Sequence, residues 1–258
     1  MSKENMQLIG VIGGVGPFAG LDFVSKIFMN TKAVKDQDHL PCMLVSCPSL
    51  IPDRTAFLLQ NEKGEIENPA FGLFESAKLL HKAGVRYASV ACNTAHADKI
   101  FSLFCGMVKE SLPGLQIVNM LETCADHVKK TFQKKPITLG LLATIGTHKS
   151  RVYHEYFREE DHIKLLEPDS QGRERIHKAI YSEEFGIKAH SQNIKPQAKD
   201  FIKNEINKLT EQGAQAVILG CTELPLAAQG ENFPVPIIDP AMVTARKLIE
   251  LINPNKLL

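Results

Sequence analysis

The chain has no excess charge of either sign. Its 258 residues hold 30 Lys and Arg against 29 Asp and Glu, a formal net charge of +1. A balance this close excludes the broad basic surface that collects nucleic acid or anionic lipid, so neither is expected as a partner. Long hydrophobic runs are missing too. None approaches the roughly 18 to 20 apolar residues of a membrane helix, and no membrane association is expected. The first residues carry Lys3, Glu4 and Asn5 ahead of a glycine-rich stretch. They do not follow the basic, apolar, small-residue order of a signal peptide, which predicts a cytoplasmic protein. The 6 cysteines suit that compartment as free thiols. None forms a C-x-x-C pair, and no second pair at zinc-finger spacing follows Cys42 and Cys47, so a structural zinc is not expected. What remains, 44% hydrophobic and 23% charged residues, is the composition of an ordinary folded protein.

Short apolar runs alternate with amphipathic stretches. Strands are predicted at residues 7–12, 41–47, 85–91, 115–118, 137–143, 215–220 and 235–238. Helices are predicted at 18–31, 69–82, 94–110, 120–132, 197–212 and 241–252. The first presents Leu21, Val24, Ile27 and Phe28 as its apolar face; the second counts Phe71, Phe74, Leu79 and Leu80 among its apolar positions. Residues 159–196 show no clear period and read as a helical excursion over a cleft. Alternation of this kind implies parallel βαβ units with right-handed crossovers.

The pattern runs twice. Gly10 in LIGVIGGVG aligns with Gly140 in TLGLLATIG, an offset of 130 residues. Gly84 aligns with Gly213, and Cys92 with Cys221, both at an offset of 129. Each half has a glycine-rich strand end near its start and a strand ending in cysteine near its close. The expected fold is α/β: two pseudo-symmetric three-layer lobes with parallel sheets and an active-site cleft between them. Residues 1–114 with 237–258 are expected to form the first lobe and 115–236 the second. Ligands of open α/β sheets bind at the carboxyl ends of the strands.

Both repeated cysteines fall at such an end. Cys92 follows YASVA and opens NTAH; Cys221 follows AVILG and opens TELP. Backbone N–H groups at a helix start stabilise an anion, so each thiol is a candidate for a lowered pKa. Cys42, Cys47, Cys105 and Cys124 lack this context and read as small packing residues. Two facing thiols suit inversion of a carbon acid: a thiolate takes a proton from one face while a thiol returns one to the other. The developing carbanion needs stabilising, and donors at the two helix starts suit that need.

The runs GGVGP (13–17), IPDRT (51–55), CNTAH (92–96), LLATIGT (141–147) and GCTELP (220–225) resemble the cofactor-independent aspartate/glutamate racemase family, and its aspartate racemase branch above all. The resemblance runs over nearly the whole chain in order. It implies an isomerase that interconverts L and D forms of a small amino acid, aspartate or glutamate, without pyridoxal phosphate, metal or nucleotide. Cys92 and Cys221 would be the paired acid and base. By the same resemblance Asn93, Thr94 and Ala95 would hold the substrate carboxylate. Arg54 would meet a carboxylate, with Asp53 placing Arg54 or the substrate amino group. Lys188, in the run IYSEEFGIKA, would match a family lysine. Val15, which stands where aspartate racemases often have methionine, would lie against substrate. Ala91, where proline is common, is a departure like Val15 at a position where backbone geometry dominates; Ser46-Cys47-Pro48, where asparagine usually precedes the proline, is a departure that bears on recognition of the substrate side chain. The family also admits a homodimer.

From the residues themselves, Thr222 adds hydrogen-bonding capacity beside Cys221. Glu223 is either a tuner of that thiol, a ligand for the amino group, or a plain charge at a helix start. His96, four residues after Cys92, reads as a hydrogen-bonded histidine at a helix start, since two ligands do not make a metal site. Other readings are a broad-specificity racemase, a cysteine-dependent isomerase or decarboxylase of small diacids, and a silent ligand-binding protein. A dinucleotide binder is suggested by Gly14-Val15-Gly16-Pro17-Phe18-Ala19. That reading lacks an acidic residue at the end of the second strand, and Pro17 removes an N–H.

Overall fold

The computed structural model describes residues 7–60, 64–133 and 135–258. The first half runs β1 (Ile9–Ile12), α1 (Pro17–Met29), β2 (Cys42–Val45), α2 (Arg54–Gln60), α3 (Pro69–Lys82), β3 (Tyr87–Val90), α4 (Asp98–Ser111), β4 (Gln116–Ile117) and α5 (Met120–Phe132). The second runs β5 (Ile137–Ala143), α6 (Ile145–Ser150), α7 (Val152–Phe157), β6 (Ile163–Leu166), α8 (Ser170–Tyr181), α9 (Pro196–Glu211), β7 (Ala216–Gly220), α10 (Leu224–Ala228), β8 (Ile237–Ile238) and α11 (Pro240–Ile252). Two four-stranded sheets result, ordered β2-β1-β3-β4 and β6-β5-β7-β8. Every pairing is parallel. Among the described residues no helix is long and apolar enough to cross a membrane.

The repeat seen in the sequence is a packing repeat. Gly10 lies opposite Ala88 across the first sheet, and Gly140 opposite Val217 across the second. A Cβ on Gly10 would sit 2.7 Å from Val85 and 3.0 Å from Leu80; on Gly140 it would sit 2.9 Å from Val217 and 3.1 Å from Leu209. Leu80 on α3 and Leu209 on α9 are themselves one repeat apart. Both glycines therefore let a leucine-bearing helix lie directly on the strand. Gly84 and Gly213 close these helices at φ +82° and +100°, a left-handed turn that disfavours a side chain.

The lobes exchange helices. β4 lies beyond the predicted boundary at residue 114 yet pairs with β3 in the first sheet. The chain then crosses: α5 packs Leu121, Cys124, Ala125 and Val128 into the core of the second sheet. β8, at 237–238, pairs with β7 in the second sheet. α11 crosses back and packs Ala241, Ala245, Leu248 and Ile249 against Ile9, Val11, Phe23 and Ile27. The same device caps each crossing helix. Asn119 accepts from the Leu121 N–H and Asp239 from the Ala241 N–H, each at 2.9 Å, contributing about 1 kcal/mol apiece.

Several local expectations need correction. α1 buries Ala19, Phe23 and Ile27 against α11, while Leu21 is 56% exposed and Phe28 39%. Lys26 is buried instead, because Asp22 and Asp239 (2.5 Å) neutralise it beneath α11. In α3 the core positions are Leu73, Ala77 and Leu80, and Phe71 and Leu79 face outward. The helix expected over 94–110 is broken: Thr94–His96 is a single 3₁₀ turn, Ala97 is non-helical with ψ at 136°, and α4 begins at Asp98. The irregular stretch 159–196 contains a full strand, β6, and a full helix, α8.

Candidate active site

All strands of each sheet run the same way, so each sheet gathers its carboxyl ends at one edge. The turns beyond those ends meet. Thr222, after β7, donates its hydroxyl to the Ala91 carbonyl, after β3, at 3.0 Å. The Thr94 hydroxyl lies 3.0 Å from Thr144 and 2.9 Å from Thr147. Tyr181, at the end of α8, donates to Asp53 at 3.1 Å, and Lys188 donates to the Val15 carbonyl at 3.2 Å. These bonds join the two glycine-rich and cysteine-bearing edges face to face. Cys92 and Cys221 are both buried there.

The repeat is broken just after the two cysteines. At an offset of 129 residues Thr222 takes the place of Asn93, and Glu223 the place of Thr94. The Cys221 thiol donates to Glu223 Oε2 at 3.0 Å. The other carboxylate oxygen, Oε1, pairs with the Lys188 ammonium. Burial opposes ionisation of Glu223, but Lys188, the Cys221 thiol and Arg54 hold its carboxyl below the ordinary range. Burial likewise works against charge on Lys188, and Glu223 overrides it to raise the ammonium pKa. Burial first, and the Glu223 carboxylate second, push the Cys221 thiol well above the usual cysteine value. The lowered pKa expected for this cysteine from a helix start is therefore corrected. α10 is only 5 residues long, and the dehydrated carboxylate beside the sulfur outweighs its weak dipole. Gly16 makes room for this arrangement, since a Cβ there would lie 2.1 Å from Glu223 Oε1.

Arg54 is the second cation here, and unlike the partly exposed Lys188 it is buried. Its guanidinium donates to the Val15 carbonyl and, at 3.2 Å, to the Pro52 carbonyl. Among the described residues its Nε has no partner, and no carboxylate is ion-paired with it. Burial works against the charge, but Cys92, Tyr181, Asp53 and Glu223 together hold the group firmly protonated. Asp53 does not bond Arg54 directly. It accepts from the Ala56 N–H at 2.7 Å and so caps α2, the helix that Arg54 opens. The carbonyl of Val15 thus receives both site cations while its side chain is buried. Asn93 accepts from the Tyr153 hydroxyl at 2.6 Å, and its amide nitrogen has no partner among the described residues. Ala95 is fully buried within the 3₁₀ turn.

His96 is a structural linchpin behind Cys92. The Met120 N–H donates to its Nε2 at 3.2 Å, which leaves Nδ1 protonated and donating to the Cys92 carbonyl at 2.8 Å. Burial holds this imidazole down to about 4, against an ordinary value of 6.5, with the Cys92 carbonyl opposing. Between those values the unfolded chain binds the proton and the folded one does not. The native state therefore loses stability as pH falls through that window, by about 3 kcal/mol in all. Denaturant unfolding should show the gap between wild type and His96→Gln shrinking from pH 7 to pH 4.5. A gap that stays constant over that range excludes the assigned role.

Several residues that join these turns escaped sequence reading. Thr55, Thr144 and Thr147 form one hydroxyl cluster with Thr94, and Tyr181 clasps Asp53 and Thr55 across the lobes. The threonines stand inside the runs IPDRT and LLATIGT, where a signal existed. Tyr153 carried none, since its partner lies 60 residues away; Tyr181 stands in the run IYSEEFGIKA, but its partner Asp53 lies 128 residues away.

The fold and the chain match known proteins. The Asp/Glu/hydantoin racemase family matches residues 12–248. The broad specificity amino-acid racemase of Bacillus subtilis is 24% identical over 251 residues, spanning 94% of this chain and 96% of that one. Among solved structures, the Picrophilus torridus aspartate racemase superposes with a TM-score of 0.77 at 28% identity, covering 95% of this chain and 94% of that one. A putative Asp/Glu racemase from Yersinia pestis gives a TM-score of 0.68 at 26% identity, covering 96% and 99%. The chain belongs to the Asp/Glu/hydantoin racemase family and is an enzyme of the racemase class, with the two-lobed α/β fold of those neighbours.

Proposed function

We propose that the protein racemises a small acidic amino acid, aspartate or glutamate, by moving a proton at Cα between Cys92 and Cys221 without a cofactor. The observation that carries this reading is the pairing of two buried, repeat-related cysteines on facing strand-end turns, tied by the Thr222 to Ala91 bond of 3.0 Å. One sulfur takes the proton as thiolate while the other supplies one as thiol, and the roles exchange with the hand of the substrate. The bond from Cys221 to Glu223 favours the thiol as the starting state on that side. Asn93, Thr94 and the N–H groups of their turn suit the α-carboxylate, whose hydrogen bonds strengthen as charge develops at Cα. Arg54, bonded only to carbonyl oxygens among the described residues, suits a second carboxylate. Relatives described as aspartate racemase and as broad specificity racemase support amino acids as the substrate class. The six free thiols fit a reducing compartment, in which we place the enzyme.

Incubation of the reduced protein in D₂O with each common L- and D-amino acid tests the reading. Cα-deuterium, followed by NMR, should appear together with the mirror enantiomer on chiral chromatography, for aspartate or glutamate foremost and without added cofactor. No exchange with any amino acid overturns the proposal.

A further inference from the structure

One buried side chain touches both cysteine-bearing turns. Tyr153, on α7, is 1% exposed. Its hydroxyl donates to Asn93 Oδ1 at 2.6 Å, one residue beyond Cys92. Its ring edge lies against Gly220, one residue before Cys221: a Cβ on Gly220 would sit 3.1 Å from Tyr153 Cε2. The ring packs in the core of the second sheet beside Gly220, and from there its hydroxyl reaches the Cys92 turn and orients the side-chain amide of Asn93. A buried phenol must find an acceptor, and here it has one. Burial, with Cys124, Asp239 and Cys221 nearby, keeps the phenol protonated and so keeps it a donor.

This bond has a directional consequence. With Oδ1 turned back to Tyr153, the Nδ2 group is the end of Asn93 left for a ligand. It is buried and has no partner among the described residues. An unmade buried donor beside the reacting cysteine is costly unless something accepts from it, and a substrate carboxylate oxygen does so. Without the phenol the amide can turn over and offer an oxygen to that carboxylate.

We propose that Tyr153 is a positioning residue: it fixes the amide of Asn93 as a donor to the substrate carboxylate and, through its ring, packs the strand end that carries Cys221. This rests on the racemase reading above. The hydroxyl and the ring make separable contributions. Tyr153→Phe keeps the ring and loses the hydrogen bond, so KM should rise about five- to tenfold while kcat stays within about threefold. In an Asn93→Ala background the same change should leave KM unaltered, because the amide it orients is gone. Tyr153→Leu removes the ring as well and should lower kcat by about tenfold or more, since small displacements of reacting groups are costly.

Steady-state racemisation of the wild type, Tyr153→Phe, Asn93→Ala and the double variant, each with its Tm, tests this. A raised KM in Tyr153→Phe that vanishes in the double variant supports the assignment. A KM within twofold of wild type overturns it, even with a lowered Tm, because a purely structural tyrosine would move Tm alone. Additive KM effects overturn it too. A wild type inert toward every amino acid overturns the underlying racemase reading, and the assignment with it, whereas an active wild type with an unchanged Tyr153→Phe variant overturns the assignment alone.

Discussion

Replacing Cys92 by serine, or Cys221 by serine, should lower racemisation in both directions by at least ~10³-fold, as expected when a positioned acid–base group is removed. The exchange is nearly isosteric and both sites are buried, so Tm should move by only a few degrees. A hydroxyl is a far weaker acid than a thiol, so near neutral pH it is not ionised to take a proton and gives one up poorly, and the proton relay fails on that face. The other face keeps its sulfur. Residual Cα exchange in D₂O should therefore persist for one enantiomer only, with retention of configuration, and the favoured enantiomer should differ between the two variants. Full racemisation by either variant, measured by chiral chromatography, would remove the two-base mechanism.

The second large effect concerns the charge pair behind Cys221. Lys188→Met leaves the Glu223 carboxylate buried beside the thiol without its cation. Glu223 is buried but Lys188 is a quarter exposed, so stranding the carboxylate costs about 2 to 3 kcal/mol, less than for a fully buried pair, and lowers Tm by roughly 5 to 10 °C for a chain of this size. Adding Glu223→Gln should return most of that stability, because both charges are then gone, but it should not return racemisation. The pH dependence has a defined sign. Glu223 is held below its ordinary range in the folded protein, so its stabilising contribution is present above the unfolded carboxyl pKa and is lost as pH falls through the folded one. In Lys188→Met the dependence should invert, with the protein regaining stability as pH falls and the carboxyl takes up its proton. Thermal unfolding of the variant at pH 5 and pH 8 reads this inversion, since the wild type keeps its Glu223 contribution at both. A Lys188→Met variant as stable as wild type at pH 8 would show that Lys188 does not neutralise the buried carboxylate.

Much of the architecture was legible because it obeys local rules written twice. Glycines at 10 and 140, at 84 and 213, and cysteines at 92 and 221 mark equivalent positions in each lobe. Strand and helix periods follow from residue spacing alone, and α5 and β5 lie where their apolar patterns place them. The misreadings share one cause. The face of α1 depends on α11, which arrives from the other end of the chain with Asp239 and allows Lys26 to be buried. β6 and α8 lie in a stretch where Arg175 is neutralised by Glu205 on α9, 30 residues away along the chain.

The site divides in the same way. Which residues are nucleophilic, glycine-turned or charged is a property of the chain, and the sequence alone determined that two matched cysteines end two matched strands. What each cysteine does was decided by the fold. A thiol's proton affinity depends on desolvation and on the charges within a few ångströms, and those of Cys221 come from Glu223, two residues on, and Lys188, 33 residues before it in the chain. The reach of Tyr153 to both turns, and the confinement of Arg54 among carbonyl oxygens, likewise exist only once the two sheets face each other. Electrostatics and packing act through space, and sequence distance carries no record of them.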